Sequence, residues 1–294
     1  MVIQLSRLSC DLHTHSIASD GSDSPSGLVR KACMAGLAAI ALTDHDTVSG
    51  IAEASEASDR EGIEFLAGIE FSVKASRGNM HILGYLVDIS SQHLKAVLDK
   101  VQAARAERTP KLLARLREIG LPVEEEELYR VTKGGQVGRP HFARVMVEKG
   151  YVRDVSQAFS RYLARGGPAY VPKSILEPQH AIEAIHAAGG LAVLAHPFSL
   201  MCRGRRQLEE VVRGLCACGL DGMECYYSEH TLAFTMQCLH MCSQFGIVAT
   251  GGSDYHGRAK PYLKIGKGKG DLFVPYSCVE QLRQRWRDKR GQNI

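Results

Sequence analysis

The sequence predicts an α/β fold, a TIM-like barrel carrying a helical insertion, and three observations support it. Apolar strand-like runs alternate with helix-like runs over the first ninety residues, the alternation breaks between residues 91 and 169, and it then resumes. Such alternation marks a parallel sheet covered by helices, and about seven strands favour a closed barrel. A doubly wound open sheet is the alternative, although no GxGxxG follows the first strand. The expected division is a barrel domain of residues 1–90 and 170–294 with a helical insertion domain of residues 91–169.

The elements follow in order. "LSCDLH" is the first strand. In "SPSGLVRKACMAG", Ser24 and Pro25 suit an N-cap and first helical position, and Gly36 a stop. "LAAIALT" reads as a buried strand, "SGIAEASEASDREG" as an Ala-rich helix, and "EFLAGIEFSV" and "MHILGYLVD" as two more strands. "HLKAVLDKVQAARAERTPKLLARLREIG" is helical and charged, with Pro110 as a kink or boundary. "RPHFARVMVEKG" and "DVSQAFSRYLARG" add shorter helices, and their repeated apolar positions make the stretch an insertion and not a linker. Helix "EPQHAIEAIHAAGG", strand "LAVLAHP", helix "RQLEEVVRGLCACG", strand "LDGMECYY", helix "HTLAFTMQCLHMCSQFG" and strand "IVATGGSD" follow, before a last amphipathic helix, "SCVEQLRQRWRDKR".

Composition bounds the function. With 45% hydrophobic and 23% charged residues, the 294-residue chain is an ordinary soluble globular protein. A net charge of +4 permits an anionic substrate without implying one. No apolar stretch approaches the ~18 residues of a membrane span, and the first residues lack the pattern of a signal peptide. Nine cysteines without a CxxC pair suit reduced thiols in a cytoplasmic protein. No obligate protein partner is evident.

Twelve histidines are many, and their placement is informative. His13 and His15 stand two apart at a strand end, where side chains i and i+2 point to one side and two imidazoles can converge. Asp20 follows in the first loop. The next strands deliver His45, Glu70, His81, His196, and then Asp254 with His256. Barrel chemistry collects at the C-terminal ends of strands, and all but His81 sit at or just beyond such an end. Any one could be a capping residue, but six histidines and three carboxylates falling where one site would form point to a metal centre.

These motifs, "DLHTHS" with Asp20, "LTDHDT", "GIEFS", "MHILGY", "LAHP" and "GGSDYHG", resemble the polymerase and histidinol phosphatase (PHP) family of metal-dependent phosphoesterases. The resemblance implies a distorted (β/α)7 barrel and two or three divalent metal ions. By resemblance, His13, His15, Glu70 and Asp254 hold one ion. Glu70, His81 and His196 hold a second, and Asp20, His45 and His256 a third. Glu70, Asp254 and His196 are the candidate catalytic residues among them. The insertion, with "GRPHFAR" and "AYVPKS", looks like the branch that removes phosphate from nucleoside 3′,5′-bisphosphates, some members of which also shorten RNA from the 5′ end. One departure is the segment "FSLMCRGRR" after "AHP", where some members of the branch carry an Arg-Tyr loop.

Nitrogen and carboxylate donors suit Mn²⁺ best here, with Fe²⁺ or Zn²⁺ as alternatives. Three divalent ions, three carboxylates and a bridging hydroxide leave roughly +2, matched to a phosphate dianion. Hydrolysis by metal-bound hydroxide is therefore expected. A second phosphate needs its own site. Pro140 at the start of the "RPHFAR" helix would leave free N–H groups for an anion, with Arg139, His141 and Lys173 as candidate substrate-binding residues. Arg203, Arg205 and Arg206 read as a solvated loop. Histidinol-phosphatase-like hydrolysis, a nucleic-acid-binding module on this fold and an amide hydrolase are the competing functions; "TDHDT" and "GIEFS" speak against the last.

Overall fold

Strands β1 (Cys10–Asp11), β2 (Ala39–Leu42), β3 (Glu64–Val73), β4 (Met80–Tyr85), β5 (Leu191–Leu194), β6 (Gly222–Tyr227) and β7 (Val248–Gly252) lie side by side in sequence order. The computed structural model describes residues 8–132, 135, 137–172 and 176–291. Beyond β1 the chain stays extended and stitches the sheet shut. The Leu12 amide donates to Gly251 O (3.1 Å) and the Asp254 amide to His13 O (2.9 Å). Gly252 permits this closure, because a Cβ there would sit 2.3 Å from the Cβ of His13.

One expectation needs correcting. The sheet is not parallel throughout: β4 runs antiparallel to both β3 and β5. A six-residue connection joins β3 to β4, too short for the crossover that a parallel pair requires. The reversal explains the odd position of His81. The start of β4 lies at the same end of the barrel as the finish of its neighbours, and His81 is paired directly opposite Ser72 on β3.

Side chains alternate across the barrel wall with the period of two that strands impose. Leu83 and Tyr85 on β4, and Leu191 and Val193 on β5, fill the interior, where Cys278, Val279 and Leu282 of the last helix plug the lower end. Ile82, Ala192 and Leu194 face outward under the covering helices. Those helices are α1 (Pro25–Met34) and α2 (Ile51–Glu61) after β1 and β2, and α3 (Gln92–Ala106) after β4. The intervening segment carries α4 (Arg108–Glu118), α5 (Glu125–Thr132), α6 (Arg139–Glu148) and α7 (Val155–Ala158), the last running into a π-turn at Phe159–Leu163. Helices α8 (Pro178–Ala187), α9 (Arg205–Ala217), α10 (Leu232–Phe245) and α11 (Ser277–Gly291) complete the chain. Among the described residues no helix is long and apolar enough to cross a membrane.

Local chemistry sets the helix ends. Ser24 caps α1 through its Oγ on the Gly27 amide (3.1 Å), with Pro25 at the first position. Pro110 leaves no N–H for the Ala106 carbonyl, and the long charged helix divides at Glu107, between α3 and α4. Leu94 and Leu98 of α3 pack on the barrel wall. Residues from Leu112 to Val171 build a separate core around Leu116, Phe142 and Met146. Helix α5, with its acidic start Glu125–Glu127, was not expected from the sequence.

Candidate metal centre

The nine strand-end residues converge at the top of the barrel. Glu70, fully buried, stands at the middle of them. Its Oε1 lies 2.7 Å from His81 Nδ1 and 3.0 Å from His196 Nε2, and those nitrogens are 3.2 Å apart. Its Oε2 faces His45 Nδ1 at 2.9 Å, His15 Nε2 at 3.3 Å and His13 Nε2 at 3.4 Å. Asp254 Oδ1 lies 3.3 Å from His15 Nε2 and 3.7 Å from His13 Nε2. Asp20 sits farther out, 3.3 Å from His256 Nε2 and 3.9 Å from His45 Nε2. Donors that share an ion at about 2.0–2.2 Å stand roughly 3–3.5 Å from one another, and these separations cluster there.

The outer partners of three imidazoles fix where their protons are. His13 Nδ1 meets the Glu224 carboxylate at 3.0 Å and His256 Nδ1 meets the Asp254 carbonyl at 2.7 Å. His196 Nδ1 meets Ser199 Oγ at 2.8 Å, whose own proton goes to Asn79 O. In each case Nδ1 must donate, so the neutral ring turns the lone pair of Nε2 inward. All three lone pairs then face carboxylate oxygens across a gap. That arrangement is repulsive unless a cation, metal ion or proton, lies between them. Buried and without hydrogen-bond partners among the described residues are His13 Nε2, both nitrogens of His15, His45 Nδ1 and Glu70 Oε2. Unpaired polar atoms at this depth are costly, and these residues fit divalent metal.

The donors form four overlapping groups: His15, Asp20, His45 and His256; His13, His15 and Asp254; His13, Glu70 and His196; and His45, Glu70 and His81. His15 thus adjoins the Asp20 group as well as the Asp254 group, a sharing that motif spacing does not reveal.

Electrostatics prepares the same groups. Burial pushes the carboxyls of Asp20 and Glu70 up, but the surrounding imidazoles outweigh it and hold both well below the usual range. Asp254 behaves likewise, with Lys260 as the leading charge. His81 is pushed down to about 4, chiefly by burial, and His256 to about 4 by burial and Lys260. Burial lowers His15 as well, but Asp254 and Glu70 reverse that and lift it to about 9, so metal must compete with a proton there. The backbone is strained at two of the donors: His196 has φ +22° and Asp254 φ +55°, a cost of about 1–3 kcal/mol each.

Several residues at the centre escaped the sequence reading. Glu224, buried inside β6, holds His13 and also accepts from the His196 amide at 2.7 Å. An acid inside the apolar run "GMECYY" was the available signal. Lys260 Nζ (2.6 Å) and the Tyr227 hydroxyl (3.0 Å) both donate to Asp254 Oδ2, which leaves Oδ1 for the histidines. Three acids close in sequence to the donors, Asp11, Asp44 and Asp46, support their positions. Asp44 holds the turn after His15 through Ser16 and Ser19, and Asp11 ties β1 to Ser253 and Gly266. Asp46 accepts from the Ser72 amide and pairs with Arg105.

A cleft of about 130 Å³ opens beside Asp20, His45 and His81, and its far wall is basic: Arg105, Arg108 and Arg139. Arg139 donates to Leu163 O at 3.2 Å and lies over the rings of Phe159 and Tyr170. Arg108 donates from Nε to Val171 O at 3.0 Å, while its buried Nη2 has no partner among the described residues. Burial, with Arg139 and Arg105 nearby, pushes Arg108 down to about 10. His141 turns Nδ1 back to the Gly138 amide at 3.0 Å, so that nitrogen caps its own helix. Pro140 occupies the second helical position, not the first, and its missing N–H together with the Gly138 bond leaves the helix start fewer donors than expected. Lys173 lies outside the described residues.

Comparison with known proteins follows this geometry. A family model, the PHP domain, matches residues 11–166. The chain is 35% identical over 279 residues to a 3′,5′-nucleoside bisphosphate phosphatase of Chromobacterium violaceum, covering 95% of each. It is 33% identical over 280 residues to the 5′-3′ exoribonuclease Rnm of Escherichia coli, covering 94% of this chain and 93% of that one. A solved structure from Bifidobacterium adolescentis, described as a metal-dependent phosphoesterase, superposes with a TM-score of 0.85. It is 30% identical, over 95% of this chain and 96% of that one.

Proposed function

The chain belongs to the PHP family of metal-dependent phosphoesterases, and we propose that it hydrolyses phosphate monoesters of nucleotides, nucleoside 3′,5′-bisphosphates in particular. One observation carries the proposal: the three arginines of a single narrow cleft face the histidine and carboxylate cluster across it. A substrate with one phosphate for the cluster and a second for the arginines is the ligand such a pair of anion sites fits.

His13, His15, Glu70 and Asp254, with His81 and His196 around Glu70 and with Asp20, His45 and His256 farther out, would hold two or three divalent ions. The nitrogen and carboxylate donor set favours manganese, then iron or zinc. Such ions supply Lewis-acid charge for the phosphoryl oxygens and lower the pKa of water enough to give a nucleophile near neutral pH. The chain's own residues do the rest. Glu224 and Ser199 orient His13 and His196. Lys260 and Tyr227 hold Asp254. Arg108, with Nη2 unpaired, and Arg139 bind the remote phosphate. The nine free thiols support a reducing, cytoplasmic setting.

The test is substrate-resolved kinetics. A charged contact in a partly desolvated cleft is worth about 1.5–3 kcal/mol, so Arg139→Ala should lower kcat/KM for a 3′,5′-bisphosphate about 10- to 150-fold. A small generic phosphate ester should be hydrolysed as before. Equal losses on both substrates would assign Arg139 to the fold, through Leu163.

A further inference from the structure

A second concavity adjoins the centre and shares no lining residue with the arginine cleft. It is a groove of about 780 Å³ at the ends of β5 and β6, formed largely by the "FSLMCRGRR" segment and α10. A continuous file of rings leads into it from a metal-site donor. His196 and Tyr227 are 5.5 Å apart, Tyr227 and His230 5.2 Å, His230 and Phe234 4.7 Å, and Phe234 and Phe198 6.4 Å. Phe198 is 55% exposed and Met201 69%, in a chain that buries most of its large apolar side chains. The groove also begins in the centre: Tyr227 donates to Asp254, and Ser199, on its wall, holds His196. Asn79 and Gln237 border it, offering hydrogen bonds at the rim, where Arg205 and Glu229 add one charge of each sign.

We propose that this groove is a stacking subsite for a nucleobase, that of the nucleotide attached beyond the phosphate being cleaved. This rests on the nucleotide reading above and extends it. Flat faces of Phe198 and Phe234, a thioether and amide edges suit a planar ring with polar edges better than they suit a sugar or a second anion. A nucleoside 3′,5′-bisphosphate, with one phosphate on the arginines and the other at the centre, ends there and leaves the groove empty. A 5′-phosphorylated oligonucleotide fills it: the 5′-phosphate meets the arginines, the next phosphate meets the centre, and the second base lies on Phe198. The reaction is then hydrolysis of a diester. Water supplies the new oxygen on phosphorus, and the bond from phosphorus to the 3′-oxygen of the first nucleotide breaks, as it does for the bisphosphate. That oxygen leaves with a proton while the phosphate stays on the second nucleotide.

The test compares a 5′-phosphorylated dinucleotide, the same molecule with an abasic second sugar, and a nucleoside 3′,5′-bisphosphate. Base stacking on one aromatic side chain is worth about 1–3 kcal/mol, which at 1.4 kcal/mol per tenfold is about 5- to 140-fold. Phe198→Ala should lower kcat/KM for the dinucleotide by that factor and leave the abasic and bisphosphate substrates unchanged, and Phe198→Trp should restore the loss. Binding of a dinucleotide with an uncleavable phosphonate linkage gives a readout independent of turnover. Tighter binding of the base-bearing probe than of its abasic twin, lost in Phe198→Ala, supports the groove even if no nucleotide is hydrolysed; in that case the functional proposal fails and the groove stands. Equal binding of the two probes by the wild type overturns the groove, as does an equal loss on the bisphosphate. A dimer in sedimentation that Phe198→Ala dissociates, with no change in probe binding, assigns the face to a second copy of the chain and likewise overturns it.

Discussion

Two buried carboxylates at opposite ends of the barrel show what separates a functional cluster from a structural one. Glu70, near the end of β3, is ringed by imidazole nitrogens, several of which have no partner. Asp221, just before β6 at the other end, is as deeply buried but fully served. It accepts from His186 Nε2 (2.7 Å), the Ala192 amide (3.0 Å), Lys289 Nζ (2.7 Å) and Arg285 Nε (3.4 Å). Both carboxyls are held below their usual range against burial. The donors differ: Asp221 accepts from an imidazole, an amide, an ammonium and a guanidinium, whereas Glu70 faces buried imidazole nitrogens with no hydrogen-bond partner among the described residues. In this fold the lower end serves stability and the upper end chemistry.

The largest effect that can break this comparison is on activity. Glu70→Gln should remove ions from more than one donor group and lower phosphate release by about 10³-fold or more, since losing a single electrostatic contact to a transition state already costs about 10²–10³. Asp221→Asn should do the reverse. Urea unfolding should show it destabilised by about 3–5 kcal/mol, the cost of stripping one partner from a buried charged network, while the folded fraction keeps its specific activity. Equal losses of activity in the two variants would erase the distinction.

Glu224→Gln sharpens the comparison at intermediate size. It keeps shape and removes the charge that orients His13, so metal affinity by titration calorimetry should fall about 10- to 100-fold with the fold intact. The smallest effect concerns acid. The Asp221 carboxyl titrates lower in the folded chain than in the unfolded one, so its contribution is complete above the unfolded value of about 3.9. It is lost as the pH falls through the lower folded value. Stability of Asp221→Asn, measured from pH 5 to pH 2, should therefore fall less steeply than that of the wild type.

How much was legible in the sequence follows the same division. The donors could be read because all but His81 sit at or just beyond the end of an apolar run, and strand ends on one side of a barrel converge. His81 looked misplaced only because strand direction is not written in an apolar run; it is set by the short β3–β4 connection. Glu224 lies within a strand, where a buried acid and a solvent-facing one give the same letter pattern. Lys260, Arg105 and Arg108 sit in loop and helix positions whose direction toward the centre depends on packing of distant segments. Helix α5 was missed behind a run of acids that reads as solvated surface. Asp221 and Lys289 are 68 residues apart in the chain, from the numbering, and nothing local marks them as a pair.

The central claim is that the unpaired donors around Glu70 exist to hold cations. Its most direct test is elemental analysis of protein dialysed against manganese and then against metal-free buffer. The account predicts two to three ions per chain in the wild type and in Asp221→Asn, and fewer than one in Glu70→Gln. Wild-type protein that retains no ion, and that releases phosphate undiminished in the presence of a chelator, would contradict it.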